Sequence, residues 1–260
     1  MTDTFYKPEE AVFCNDGRER ALLEFIANHS QRHEFVNCPE KILTAIDEYG
    51  KTQDFLMNVG TYKGKIISDL IESKKPQTML EIGGYVGYSA ILFGKALRDT
   101  GGKRYMSLEQ NAEFASIARS LVALAGLDDI VTIVEGPCRK TLLQLSQNPE
   151  YAAPCDIIFL DHTKLAYLDD LKLCEKLELV APGTVVLADD MIQPGNPAYS
   201  SYVRAPTSVK RHSISSLGED GTESNDEAFG NPDLVYETQM LEGLQPSGLQ
   251  DAVEVSHCVR

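Results

Sequence analysis

The sequence predicts an α/β fold: a mostly parallel central sheet with helices on both faces and an antiparallel strand pair at the C-terminus. Three observations predict it. The runs IIFL (157–160) and VVL (185–187) are apolar without interruption, as strands buried on both faces are. Between such runs lie stretches with apolar residues at helical spacing, giving four or five strand–helix alternations. Finally, LVYETQML (234–241) and AVEVSHCV (252–259) read as two strands joined by the turn-rich QPSGLQD (245–251).

Taken in order, residues 1–16 read as irregular. Two helices follow, the first with Leu22, Phe25 and Ile26 on one face, the second with Ile42, Leu43, Ile46 and Tyr49. TMLEIGG (78–84) reads as a strand entering a glycine turn and SAILFGKAL (89–97) as the helix after it. RYMSLE (104–109) is a strand, and AEFASIARSLVALAG (112–126) is a helix stopped by Gly126. VTIVEG (131–136) and CDIIFLDH (155–162) are strands, each followed by a helix, RKTLLQLSQ (139–147) and LAYLDDLKLCEKL (165–177). GTVVLADD (183–190) is the next strand. Residues 205–231 are expected to form a flexible acidic loop, because SISSLGEDGTESNDEAFGN (213–231) is rich in Ser, Gly, Asp and Glu. No internal repeat interrupts the pattern, so residues 1–260 are expected to form a single domain.

The net charge is −15. A chain this acidic, without a basic stripe, lacks what nucleic-acid binding requires. No stretch approaches the roughly 18 uncharged apolar residues of a membrane span. The N-terminus, MTDTFYKPEE, has neither the basic start nor the apolar run of a signal peptide, so a cytoplasmic location is expected. The cysteines, Cys14, Cys38, Cys138, Cys155, Cys174 and Cys258, are scattered without a C-x-x-C pair and read as reduced thiols.

Ligands of open α/β sheets bind beyond the carboxyl ends of the strands, and the informative residues cluster there. Glu81-Ile-Gly83-Gly-Tyr-Val-Gly87-Tyr-Ser89 is a glycine turn that lets backbone approach a ligand. It is not the G-x-G-x-x-G of a nicotinamide enzyme, because Tyr85 takes the place of the second glycine. Glu109 ends the next strand, where an acid can accept hydrogen bonds from both hydroxyls of a ribose. Each feature alone also fits a packing turn and a surface glutamate; together they point to a nucleoside without phosphates. Asp161 ends the IIFL strand, with Lys164 three residues on, and Asp189 and Asp190 end the VVLA strand. One such Asp reads as a helix cap. Three carboxylates at adjacent strand ends point to a hard divalent cation, Mg²⁺ foremost.

These segments carry a resemblance. MNVG (57–60), KGKI (63–66), LEIGGYVGYSA (80–90), FLDHTKLAYL (159–168) and LADDMIQPGNP (187–197) resemble catechol O-methyltransferase, in register from about Arg18 to Arg204. The resemblance implies a Rossmann-like class I methyltransferase that uses S-adenosylmethionine and Mg²⁺ on a catechol-like small molecule. It implies that Met57, Val59, Glu81, Gly83, Ser89, Glu109, Gln110, Cys138, Asp161 and His162 line the cofactor site. It implies Asp161, Asp189 and Asp190 as metal ligands, and Lys164 as general base with a pKa lowered by burial and by the metal. The substrate would meet Phe55, Thr163, Lys164, Asp190 and Glu237.

Four departures bear on the substrate. Asp190 stands where the family usually has Asn. The chain has no Trp, and Phe55 and Thr163 take the places of aromatic walls. Val235 aligns with a late glutamate of the family, and Glu237, two residues on, is expected to replace it. The loop after Arg204 is longer than usual. The alternatives are a methyltransferase for a larger hydroxylated aromatic, a non-catalytic S-adenosylmethionine-binding protein, and a nicotinamide oxidoreductase, the last opposed by the glycine pattern.

Overall fold

A computed structural model describes residues 5–8, 15–148, 151–217 and 229–260. Five parallel strands, β1 (Thr78–Ile82), β2 (Arg104–Glu109), β3 (Val131–Glu135), β4 (Ile157–Leu160) and β5 (Val185–Ala188), share one sheet with β6 (Tyr236–Leu244) and β7 (Gln250–Cys258). The order is β3-β2-β1-β4-β5-β7-β6. β7 runs antiparallel to β5 and to β6. Helices α1 (Arg18–Ala27), α2 (Pro39–Thr52) and α3 (Gly60–Lys74) precede the sheet. The crossovers carry α4 (Tyr88–Asp99), α5 (Ala112–Leu124), α6 (Cys138–Gln147) and α7 (Tyr167–Lys176), and α8 (Pro197–Arg204) and α9 (Thr207–Leu217) follow β5.

The alternation of side chains along each strand divides the core in two. Ile157 and Phe159 of β4 join one cluster with Leu22, Ile46, Ile67, Ile91 and Leu121 of α1 to α5. Ile158 and Leu160 join the other with Leu142, Leu171 and Tyr199 of α6 to α8. Both faces are therefore covered, as the uninterrupted apolar strands predict. The chain moves outward from β1 through β2 to β3, then restarts on the other side of β1 with β4. This reversal leaves a crevice beyond the carboxyl ends of β1 and β4, where ligands of such sheets bind.

Two expectations change. Helix α3 was unassigned in the sequence, yet Ile67 and Ile71 on one of its faces are fully buried. The expected loop of residues 205–231 begins as helix α9. Its anchor is Lys210, 4% exposed, whose ammonium donates to the Leu234 carbonyl at 3.1 Å and lies over the rings of Tyr202 and Tyr236. Residues 218–228 of that expectation, and Cys14, lie outside the described residues. Cys38, Cys138, Cys155, Cys174 and Cys258 are free thiols. Among the described residues no helix is long and apolar enough to cross a membrane.

Candidate active site

A cavity of about 650 Å³ opens beyond the carboxyl ends of β1, β2, β4 and β5, within the range of small-molecule sites. The glycine turn forms its floor. Gly83 has φ +99°, and a side chain there would begin 2.5 Å from the Asp161 carbonyl oxygen, so only glycine lets the two strand ends touch. The Gly83 and Gly84 amides donate to the Leu108 carbonyl at 2.9 and 3.1 Å, joining the turn to β2.

Two glutamates lie at this end. Glu109, 7% exposed, accepts from the Tyr85 amide at 2.8 Å and the Asn111 amide at 2.7 Å. Burial raises its pKa, and those backbone donors oppose the rise. Tyr85 is itself held by its hydroxyl, which donates to Glu19 at 2.7 Å. Glu81, with no exposure, sits beneath the turn and accepts from the Ser107 hydroxyl. Burial pushes its pKa up to about 7, against hydrogen bonds from Ser107 and Ser89. His162 contributes its Nε2 to Asp170 at 2.8 Å and stacks on Tyr167, while its Nδ1 is buried without a partner among the described residues. Burial raises the pKa of the nearby Cys138 thiol, and Asp170 adds to the rise.

The other end is a charge cluster. One oxygen each of Asp161, Asp189 and Asp190 lies within 4.8 Å of the others. Between them the fold inserts Lys63 of α3, 1% exposed. Its Nζ donates to Asp189 at 2.8 Å, to Asp190 at 2.6 Å and to Asp251, at the start of β7, at 2.7 Å. Lys164 Nζ lies 3.1 Å from Asp161 and 2.9 Å from the second oxygen of Asp190, and donates to the Tyr167 hydroxyl at 2.6 Å. Burial raises the pKa of Asp161 and of Asp189, while Lys164 and Lys63 outweigh burial at Asp190 and hold it low.

The field at Lys164 is that of the protein's own charges. Burial does favour its neutral form, but Tyr167, Asp161, Asp190 and Asp189 together hold the ammonium well above its ordinary range. A cation among the carboxylates would cancel that field. The residues present fit one. Four carboxylates, of Asp161, Asp189, Asp190 and Asp251, face two ammonium groups, of Lys63 and Lys164, leaving two formal negative charges, and Oδ1 of Asp189 is buried 2.8 Å from Lys63 Nζ. Hard oxygen donors with that residual charge suit a divalent ion.

Of the site residues expected from the sequence, Phe55, Met57, Val59, Gly83, Ser89, Glu109, Gln110, Cys138, Asp161, His162, Thr163, Lys164, Asp189 and Asp190 all line this one cavity. Glu81 supports it from below. Glu237 does not reach it. It is exposed on β6 and pairs with His257, which pairs with Val185 at the amino end of β5. β6 runs in the same direction as β5, so its start lies at the far end of the sheet, and Gln245 and Pro246, just past its end, line the cavity instead. Lys63 and Asp251 were missed. Lys63 lies within the KGKI segment, and Asp251 opens the last strand, whose antiparallel course brings its first residues to the carboxyl ends of the others.

A family model described as O-methyltransferase matches residues 38–209. The chain belongs to the O-methyltransferase family. It is similar to catechol O-methyltransferase of Bos taurus, 35% identical over 198 residues, which is 76% of this chain and 70% of that protein. It is also similar to catechol O-methyltransferase B of Danio rerio, 36% identical over 213 residues, 80% of this chain and 78% of that one. These bear out the resemblance drawn from the motifs. The fold is shared with an O-methyltransferase from Bacillus cereus solved in complex with SAH, with a TM-score of 0.59 at 20% identity, covering 95% of this chain and 93% of that one. This methyltransferase thus keeps the family fold and gathers its candidate residues in a single cavity.

Proposed function

We propose that this enzyme transfers a methyl group from S-adenosylmethionine to a hydroxyl of a catechol-like small molecule, with Mg²⁺ held by Asp161, Asp189 and Asp190. The observation that carries the reading is the shared cavity: an acid held by backbone amides at one end, and three carboxylates with a lysine at the other. The similarity to catechol O-methyltransferases of Bos taurus and Danio rerio supports the substrate class.

Glu109 keeps lone pairs beyond the two amides it accepts from, and these receive the ribose hydroxyls. Gly83 would let the backbone approach the cofactor, Ser89 would stand near its amino-acid end, and His162 and Cys138 would line its site. Phe55 and Thr163 border the substrate. S-adenosylmethionine supplies an electrophilic methyl group, and a divalent ion supplies Lewis acidity and a template for two neighbouring oxygens. An ordinary phenol has a pKa near 10 and is mostly protonated at neutral pH. Lys164 Nζ, beside Asp161 and Asp190, would accept the proton of the attacking hydroxyl in its neutral form, which the charge of a bound divalent ion would favour, and the methyl group would leave sulfur for that oxygen. Alignment of donor and acceptor within one cavity supplies much of the rate.

A larger hydroxylated aromatic is a second reading. Thr163 is exposed on the cavity wall, where the resemblance would have a bulky aromatic side chain. A methyl-transfer assay over small catechols, bulky catechols and monophenols, with Mg²⁺ and with excess chelator, tests both. Turnover of catechols with Mg²⁺ alone is expected. Turnover that persists in chelator removes the metal from the reading, and turnover of monophenols alone removes the catechol.

A further inference from the structure

Lys63 is among the largest fully buried side chains of the protein. An ammonium group has three N–H donors, and here each finds a carboxylate: Asp189 at 2.8 Å, Asp190 at 2.6 Å and Asp251 at 2.7 Å. The three acids come from two strands that meet beside α3. Asp251 spends its second oxygen on the backbone amides of Ile192 and Gln193, at 3.0 and 3.2 Å, in the turn that follows Asp190. The lysine is therefore clamped between the two-aspartate strand end and the turn leaving it.

Asp190 brings a second full charge to this strand end. Three buried carboxylates without a counter-charge would repel one another. We infer that Lys63, fixed by Asp251, is a positioning residue: a resident counter-ion whose three hydrogen bonds keep the Asp189 and Asp190 side chains in place whether or not a divalent cation is bound. The inference rests on the reading of Asp189 and Asp190 as cation ligands. It separates folding of the site from its occupancy. The pocket is built by an internal cation, and its two remaining negative charges are left for the external one.

The test is thermal unfolding of the full chain in chelator and in saturating Mg²⁺, for wild type, Lys63→Met, Asp190→Asn and the double variant, with calorimetric titration of Mg²⁺ into the wild type. Methionine keeps the length and apolar stem of lysine, so a packing role alone survives the change. In chelator, Lys63→Met is expected to lower Tm by about 10 °C, the size of a broken buried ion pair in a chain of this length. Asp190→Asn in the Lys63→Met background is expected to recover at least half of that loss, and Mg²⁺ to raise the Tm of Lys63→Met by more than that of wild type. If Lys63→Met fails to fold, a folded double variant counts as the recovery. A loss that is equal in chelator and in Mg²⁺, with no recovery from Asp190→Asn, would overturn the inference, as would a double variant that stays unfolded. Absence of Mg²⁺ uptake by the wild type would instead sink the cation reading, and recovery in chelator would still decide the role of Lys63.

Discussion

At the β1–β2 end of the cavity the acids are held by neutral donors; at the β4–β5 end they are held by ammonium groups. Glu109 accepts two backbone amides and Glu81 a serine hydroxyl, with no lysine or arginine paired to either among the described residues. Asp161, Asp189 and Asp190 share Lys63 and Lys164. The difference matches what each end is proposed to hold. Neutral donors orient one carboxylate and leave its remaining lone pairs to neutral hydroxyls. Several carboxylates within 4.8 Å of each other stay ionised only if cations are interleaved. One end is thereby suited to a sugar and the other to an ion.

The comparison breaks most severely at Asp189. On the proposed reading, Asp189→Ala removes a cation ligand and is expected to reduce methyl transfer to background, because several kcal/mol of Lewis-acid stabilisation would leave with the ion. Asp190→Asn, which keeps an oxygen donor, is expected to lose far less. Initial rates at matched Mg²⁺ concentration check the order; equal losses would mean the two aspartates do not share an ion.

Next in size is Lys164→Met. Removal of the proton acceptor is expected to lower kcat by roughly 10²- to 10⁴-fold, with S-adenosylmethionine affinity near wild type. The loss is expected to shrink for catechols of lower pKa, which arrive already ionised. A uniform loss across catechols of graded pKa would assign Lys164 to positioning and not to proton transfer.

At the other end, Glu81 sharpens the contrast. Its carboxyl is raised to about 7 by burial, so the folded state retains a proton that the unfolded chain has released above its ordinary value near 4.3. Folding stability from this group is therefore full below that value and falls as pH rises toward 7, by on the order of 3 kcal/mol. Denaturant unfolding of wild type and Glu81→Gln from pH 4 to 8 measures it. The stability difference is expected to shift in favour of the glutamine variant as pH rises, and a constant difference would contradict a neutral, buried Glu81.

How much of this was legible in the sequence depended on locality. The parallel strands, the glycine turn and the acids at the strand ends are written in short contiguous runs, and all stand where the sequence puts them. Helix α3 was not read, although Ile67 and Ile71 are one turn apart, because GTYKGKIISDLIESK mixes glycines and lysines into its pattern. Nothing local marks Lys63 as buried, since its partners are 126 to 188 residues away in sequence. Asp251 and Glu237 exchange roles through strand direction alone. The start of an antiparallel last strand reaches the site, and the start of β6 does not. Helix α9 depends on Lys210 finding two tyrosine rings and a carbonyl, contacts absent from its own hydroxyl-rich sequence.

The last and smallest effect is also the most direct test of a cavity with two distinct ends. Glu109→Ala removes charge-assisted hydrogen bonds and is expected to weaken S-adenosylmethionine by about 2 to 3 kcal/mol, roughly 30- to 150-fold. Calorimetric titration of S-adenosylmethionine and of Mg²⁺ into Glu109→Ala and into Asp189→Ala crosses the two ends. The account predicts that Glu109→Ala loses affinity for the nucleoside and keeps the ion, and that Asp189→Ala loses the ion and keeps the nucleoside. Loss of both ligands in both variants, or unchanged binding of S-adenosylmethionine to Glu109→Ala, would contradict it.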